Sequence, residues 1–371
     1  MRGTSAAGSS DERGRVRVRV VKAPFPWFGG KRRVAGHVWA ALGDVDNYIE
    51  PFAGSLAALL ERPEHHLRRC ETVNDADSYV ANFWRALQHA PEDVARWCDW
   101  PVNETDLFAR HLWLVNEGRA RIAGMEADPE FFDAKVAGWW VWGIASWIGS
   151  GWCSGNGPWV RDGDEVRQRP HLGSAGQGVN RQRPHLGNAG LGVNRKRPRL
   201  AGGGHSPHQP IVDPVDDRDA YLLALADRLR RVRVCCGDWA RVVTNGATSY
   251  GTTVGVFLDP PYLGDVRTKD LYTVDDHSIA HAVREWALGK GDDPRFRIVL
   301  AGYEDEHESQ MPASWRRIAY SASKAYGTTR AVGSGTGNDA NRHKERLWLS
   351  PHCLGGDRAS TRGLFSSVSA A

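Results

Sequence analysis

The chain has few of the features that mark a secreted or a metal-binding protein. Its six cysteines are scattered, and none forms a C-x-x-C pair. This pattern favours reduced thiols and a cytoplasmic location. His205 and His208 lie beside proline and glycine without matching cysteines, so the sequence predicts no metal site.

Long hydrophobic runs are also missing. The longest uncharged apolar run, Val136 to Trp152, has 17 residues and is rich in glycine, serine and tryptophan. A bilayer span needs about 20 residues, so we expect no membrane contact and predict a buried or cleft-lining helix here. With 371 residues, 41% of them hydrophobic, the chain has enough apolar material for one large domain or two ordinary ones.

Lysine is scarce, with eight lysines against forty arginines. This composition indicates a GC-rich genome, and so a bacterium or its phage. The positive charge is concentrated in two segments: residues 1–22 carry +4 and Arg161 to Gly204 carry +6. Because the whole chain carries +4, the remainder carries −6. We therefore expect a polyanionic partner that mobile basic arms contact.

Strands and helices alternate at both ends of the sequence. The pattern predicts an α/β fold with a parallel sheet covered by helices, which the chain leaves near residue 100 and rejoins near residue 216. The predicted strands are Asp46–Glu50, Cys70–Asn74, Val232–Cys236, Val254–Leu258, Phe296–Ala301 and Arg346–Ser350. The predicted helices are Arg32–Leu42, Ser55–Glu61, Ala76–His89, Asp216–Arg231 and Ser278–Leu288.

The middle of the chain differs from its ends. Residues 101–159 read as helices dense in tryptophan, which is more often a core residue than a contact to a nucleic acid. A repeat of period 14 follows, with one copy at 167–180, a second at 181–194 and a third begun at 195. It is either a solvated low-complexity insertion or an arm that follows phosphates.

Two short motifs follow predicted strands at the places where ligands bind in open α/β sheets. The first, Glu50-Pro51-Phe52-Ala53-Gly54, is either a simple strand-helix turn or a loop that lets a ligand approach its glycine. The second is Asp259-Pro260-Pro261-Tyr262. Its prolines stiffen the exit from the strand, so that a carboxylate, the Pro260 carbonyl and an aromatic ring suit a planar amino group.

These motifs, with Trp27-Phe28-Gly29-Gly30-Lys31 before them, resemble the Dam-like family of N6-adenine-specific DNA methyltransferases of phage and bacterial type. The resemblance covers roughly residues 24–100 and 216–352. It implies a Rossmann-like sheet that binds S-adenosyl-L-methionine, with an inserted, mostly helical target-recognition module. The expected partner is double-stranded DNA, bound by a monomer. With no nuclease motif in the chain, an orphan enzyme is favoured over a fused restriction-modification system.

The resemblance also implies roles for individual residues. Asp259, Pro260 and Tyr262 would be catalytic and would hold the target adenine. Seven basic residues of the repeats would contact phosphates under the second interpretation of that segment: Arg167, Arg169, Arg181, Arg183, Arg195, Lys196 and Arg197. The cofactor would contact Trp27, Lys31, Glu50, Phe52, Gly54, Asp75 (ribose), Asp238 and Trp239 (adenine), and Asp259.

One position departs from the family pattern. Family members often have a second glycine two residues after Gly54, where this chain has Leu56. The departure affects the detailed geometry of the cofactor loop.

The resemblance divides the chain into five parts. Residues 1–22 would be a flexible basic tail and residues 354–371 a flexible C-terminal tail. Residues 23–100 and 216–353 would form the catalytic domain, and residues 101–215, with the repeat at 167–200, the recognition insertion. Other activities stay open: methylation of cytosine N4, methylation of RNA, or DNA binding by an inactive relative. Asp259 favours adenine, since serine is the usual first residue of this motif in cytosine-N4 enzymes.

Overall fold

The computed structural model describes eleven stretches of the chain, and the statements below concern these. They are residues 22–25, 27, 31–63, 69–128, 130–147, 152–153, 159–162, 165–168, 215–261, 276–320 and 345–355. The predicted tails, apart from Lys22, Leu354 and Gly355, lie outside them.

Nine strands occur among the described residues. They are β1 (Asn47–Glu50), β2 (Cys70–Asp75), β3 (Trp159–Asp162), β4 (Glu165–Gln168), β5 (Val232–Cys236), β6 (Val254–Leu258), β7 (Phe296–Tyr303), β8 (Arg316–Ala319) and β9 (Glu345–Leu349). All six predicted strands are confirmed to within two residues at each end. The sequence did not predict β8 or the antiparallel hairpin of β3 and β4.

Helices occupy most of the remaining described residues. They are α1 (Ala35–Leu42), α2 (Ala57–Leu60), α3 (Ser78–His89), α4 (Pro91–Cys98), α5 (Glu104–Trp113), α6 (Arg119–Ile122), α7 (Ala134–Ser146), α8 (Val215–Leu229), α9 (Asp276–Gly291) and α10 (Glu304–His307). A π-helical turn, Leu114–Gly118, joins α5 to α6. Lys31–Arg33 and Trp239–Val242 form 3-10 turns, so the predicted first helix is split into a turn and α1.

Seven of the strands form one mostly parallel sheet in the order β5-β2-β1-β6-β7-β9-β8. The first five strands are parallel to one another, and β9 runs antiparallel to both β7 and β8. The predicted α/β class is therefore correct, and the order of the five parallel strands is compatible with a Rossmann-like sheet. The order reverses between β1 and β6, and this reversal marks the crevice at their carboxyl ends.

The sheet separates two hydrophobic clusters. Side chains alternate along β6, so that Val256 and Leu258 join the cluster covered by α9 while Phe257 joins the other. The α9 side includes Ile279 and Val283. The other, larger cluster holds side chains of α1 to α8. A strand buried on both faces often reads as a continuous apolar run, and β6 (Val-Gly-Val-Phe-Leu) is such a run.

The tryptophan-rich helices belong to this larger cluster. Trp140, Trp142, Trp147 and Trp152 are buried, which confirms the interpretation of these four as core residues. The predicted buried helix is α7, two residues earlier at its start and six shorter at its end. Across the described residues, no helix combines the length and the apolar character needed to cross a bilayer.

A buried ionic triad ties α8 to the sheet. Arg228 of α8 donates from Nη1 to Glu71 Oε2 at 2.8 Å and from Nη2 to Oε1 at 3.0 Å. Arg62 donates from Nη1 to Glu71 Oε1 at 3.0 Å. All three side chains are buried. Glu71 lies on β2, so the triad joins the part of the chain that precedes the middle segment to the part that follows it.

Candidate functional site at the carboxyl edge of the sheet

The site lies where the strand order reverses. Glu50 is the last residue of β1, and Asp259 directly follows β6, the neighbouring strand. In open α/β sheets, ligands bind outside the carboxyl ends of the strands at such a reversal. The two predicted motifs therefore meet at the position where this type of sheet binds ligands.

A lysine from the first motif reaches the last motif. Lys31 Nζ lies 3.1 Å from Asp259 Oδ1. The lysine side chain is only 7% exposed and the aspartate side chain 20%. The two side chains therefore form a mostly buried ion pair between the first and the last motif. Pro260 is buried beside it, and Tyr262 lies outside the described residues.

Glu50 is a second acid in the crevice, in a very different environment. It is 2% exposed, and the Tyr48 hydroxyl donates to its Oε2 at 2.9 Å. Burial raises the pKa of Glu50 to about 8; the Tyr48 hydrogen bond opposes this rise and the Asp259 carboxylate adds to it. Glu50 is therefore mostly protonated at neutral pH until a cation approaches.

At Gly54 the backbone of the first loop packs directly against the ring of Trp27. The φ of Gly54 is +47°, and an added Cβ would lie 2.3 Å from Trp27 Nε1. Trp84 Nε1 donates to its carbonyl oxygen at 2.9 Å. A side chain at position 54 would therefore both strain the backbone and displace Trp27.

Asp75 is the last residue of β2, and its carboxylate binds the loop that follows β1. It accepts the N–H of Gly54 on Oδ2 at 2.8 Å and that of Asp77 on Oδ1 at 2.9 Å. Burial raises the pKa of Asp75 to about 7, and the neighbouring Asp77 carboxylate adds to the rise. The residue predicted to bind ribose is thus next to the glycine loop, with both oxygens accepting backbone N–H groups.

Two aromatic rings line the crevice on the face of the sheet that α9 covers. Phe52 and Trp239 are half-buried, with ring centroids 6.2 Å apart and planes inclined by 29°. Asp238, next to Trp239, is exposed and accepts the N–H of Ala240 at 2.8 Å, which caps the 3-10 turn. Rings of this kind suit a planar ligand.

Leu56 occupies the position where the resembling family often has glycine. Its φ is +55° and its ψ is 29°, the left-handed conformation that glycine adopts at little cost. The side chain is fully buried. The loop therefore keeps the conformation that a glycine would favour, and burial of the leucine offsets the strain.

Sequence reasoning missed three residues of the site. Tyr48 lies two residues before Glu50 on the same strand face, so the two-residue period of a strand was a usable signal. Trp84 and Asn74 contact the loops from α3 and β2, and no local pattern indicates those contacts. Asn74 Nδ2 donates to Pro51 O at 3.1 Å and to Gly237 O at 2.9 Å.

The side chains of the residues predicted to contact DNA lie outside the described part of the chain. Arg167 lies on β4, but its side chain is outside the described residues, as are Arg169, Arg181, Arg183, Arg195, Lys196 and Arg197. By contrast, all nine residues predicted to contact the cofactor lie at the carboxyl edge of the sheet.

Comparisons with known proteins assign no family to the chain. No protein-family model matches it, and no curated protein is similar to it in sequence. The site is therefore interpreted from its own geometry.

Proposed function

We propose that the chain is a DNA methyltransferase that transfers a methyl group from S-adenosyl-L-methionine to N6 of a flipped-out adenine. One observation carries the proposal. The Asp259 carboxylate, followed by two prolines, stands beside Lys31 and near the buried acid Glu50 at the reversal of strand order. This combination offers a charged acceptor for an amine next to a crevice that suits a cationic ligand.

The residues of the crevice fit S-adenosyl-L-methionine. Its sulfonium and ammonium groups are cations, and Glu50 and Asp75 are buried acids that gain from a nearby cation. Gly54 lets the loop pack its backbone against the ring of Trp27, which places this predicted cofactor contact beside the loop. Phe52 and Trp239 offer ring faces for the adenine. When bound, the cofactor supplies an electrophilic methyl group on its sulfonium.

The protein's own contribution is to orient the nucleophile. The lone pair of an exocyclic amine on adenine is delocalised into the ring. Hydrogen bonds from this amine to the Asp259 carboxylate and the Pro260 carbonyl localise that pair and fix its direction. The ion pair with Lys31 holds the Asp259 carboxylate in place as an acceptor. Alignment of this kind supplies most of the catalysis in a direct displacement.

The adenine must leave the duplex to reach Asp259. Flipping costs a few kcal/mol, and stacking on an aromatic ring recovers roughly 1–3 kcal/mol. Tyr262, directly after the two prolines, is the ring that we assign to this step. The tryptophan-rich helices and the basic repeats are the segments that we assign to target recognition.

Methylation of unmodified plasmid DNA by the purified protein tests the proposal. Mass spectrometry of the digested DNA is expected to show N6-methyladenine that depends on added S-adenosyl-L-methionine. Asp259→Asn keeps the shape of the side chain and removes its charge, and we expect it to lower the rate by at least about 100-fold. Asp227→Asn, a change at an exposed residue of α8, is the matched control and should retain the wild-type rate.

Three results would contradict the proposal. A protein that binds no S-adenosyl-L-methionine would remove the whole assignment. N4-methylcytosine in place of N6-methyladenine, or wild-type activity in Asp259→Asn, would remove the assigned substrate or the assigned role of Asp259.

A further inference from the structure

Asn74 joins two loops of the crevice through one side chain. It lies on β2, one residue before Asp75, and is 1% exposed. Its amide nitrogen donates to Pro51 O at 3.1 Å and to Gly237 O at 2.9 Å. A side-chain amide has two N–H donors, so each hydrogen serves a different loop.

Backbone hydrogen bonds hold the same two loops to the end of β2. Ala53 donates its N–H to Asn74 O at 2.9 Å, and Gly237 donates its N–H to Asp75 O at 3.0 Å. The loop after β1 and the loop after β5 therefore both rest on β2. The amide of Asn74 adds a direct side-chain link between them.

The link lies on the face of the sheet that carries the two aromatic rings. Side chains alternate along a strand, and Val73 belongs to the larger cluster, so Asn74 faces the opposite side. Phe52 and Trp239 pack against the cluster on that opposite side. Phe52 directly follows Pro51, and Trp239 lies two residues after Gly237. The amide thus connects the two segments that carry the rings.

We propose that Asn74 is a positioning residue that sets the separation of Phe52 and Trp239 for the planar ring of the cofactor. Its Oδ1 is buried, with no hydrogen-bond partner in the described part of the chain. The two carbonyl oxygens that its Nδ2 contacts belong to different loops, so this side chain sets the distance between them. The inference rests on the proposed function, because it assigns the two rings to the adenine of S-adenosyl-L-methionine.

Asn74→Asp is the sharpest perturbation. It preserves the size of the side chain, removes both donors and points a carboxylate at two carbonyl oxygens. We expect the Kd for S-adenosylhomocysteine, measured by calorimetry, to rise about 30-fold, the factor that two net hydrogen bonds correspond to. The KM for S-adenosyl-L-methionine should rise similarly, while kcat at saturation stays within about threefold, because Asp259 and Lys31 are not touched.

Asn47 provides a matched control at the other end of the sheet. It is the first residue of β1, is fully buried, and donates from Nδ2 to Ala247 O at 2.9 Å. Its Oδ1 is also without a partner among the described residues. Asn47→Asp makes the same chemical change far from the rings, so it should lower the stability and leave the Kd within about twofold.

A double-mutant cycle with Trp239→Ala tests whether Asn74 acts through the rings. If it does, Asn74→Asp weakens binding much less when Trp239 is already absent. Full additivity would overturn the inference. Where Asn74→Asp does not fold, Asn74→Ser removes the link without adding charge, and an unchanged Kd in that variant would overturn it too.

The possible failures are distinguishable. A wild-type protein that binds no S-adenosylhomocysteine would remove the proposed function and this inference with it. A wild-type protein that binds the ligand, with a Kd that Asn74→Asp leaves unchanged, would overturn the role of Asn74 alone.

Discussion

Replacing Glu50 by glutamine should stabilise the protein at alkaline pH, although it changes a residue of the site. Burial raises the pKa of Glu50 from 4.5 to about 8 in the folded state. Between these values the folded protein holds a proton that the unfolded chain has released. The free energy of unfolding therefore falls as pH rises through this window, by about 1.4 kcal/mol per pH unit.

The magnitude follows from the width of the window. From pH 5 to pH 8, ionisation of Glu50 in the unfolded chain lowers the free energy of unfolding by at most about 4 kcal/mol. Glutamine resembles the protonated acid and can still accept the Tyr48 hydrogen bond, but it does not ionise. Glu50→Gln and the wild type should thus be similarly stable at pH 5 and diverge progressively up to pH 8.

Urea unfolding at several pH values measures this difference. Comparison of Glu50→Gln with the wild type isolates Glu50 from other titrating groups such as Asp75. Glu71→Gln is the matched control, since Glu71 is an equally buried glutamate on the adjacent strand but is held by two arginines. Its replacement should destabilise the protein by about 3–5 kcal/mol. Parallel curves for Glu50→Gln and the wild type from pH 5 to 8 would refute the reasoning.

Two further predictions concern backbone strain in the loop after β1. Gly54→Ala should lower the free energy of unfolding by about 1–3 kcal/mol, because of its positive φ and the displacement of Trp27, and should weaken cofactor binding in calorimetry; unchanged binding would contradict the role of Gly54. Leu56→Ala and Leu56→Gly should both destabilise through loss of a buried side chain, but the glycine variant should be more stable by about 1 kcal/mol in urea unfolding. An alanine variant of equal or higher stability would mean that the left-handed backbone at this position is not strained.

The sequence predicted β6 because it is apolar along its whole length, as buried parallel strands often are. It predicted β1 and β2, which carry polar residues, from their place before turns and helices. It did not predict β8, whose residues Arg316 to Ala319 are mostly exposed and carry two arginines. The hairpin of β3 and β4 was missed although Gly163-Asp164 lies between them, a dipeptide typical of tight hairpin turns.

The site was predictable where its residues belong to short local motifs, which hold Lys31, Glu50, Gly54 and Asp259. Strand order brings Glu50 and Asp259 together, and Lys31 reaches Asp259 from the turn before α1. The role of Asn74 could not be predicted, because it depends on carbonyl groups from two other loops. The raised pKa of Glu50 depends on burial by residues far apart in the chain.

Several unfavourable features of this fold lie at the carboxyl edge of the sheet. Glu50 and Asp75 are buried acids with raised pKa values, Leu56 adopts a left-handed backbone, and Asn74 has an unpaired buried oxygen. The nearby Glu71, equally buried, is instead paired with two arginines. A chain that pairs one buried acid and leaves two neighbours without a cationic partner of that kind retains the second arrangement for a reason other than stability. Under the proposed function, a cationic ligand in the crevice would supply that reason, since it would offset the unfavourable ionisation of Glu50 and Asp75 only when bound.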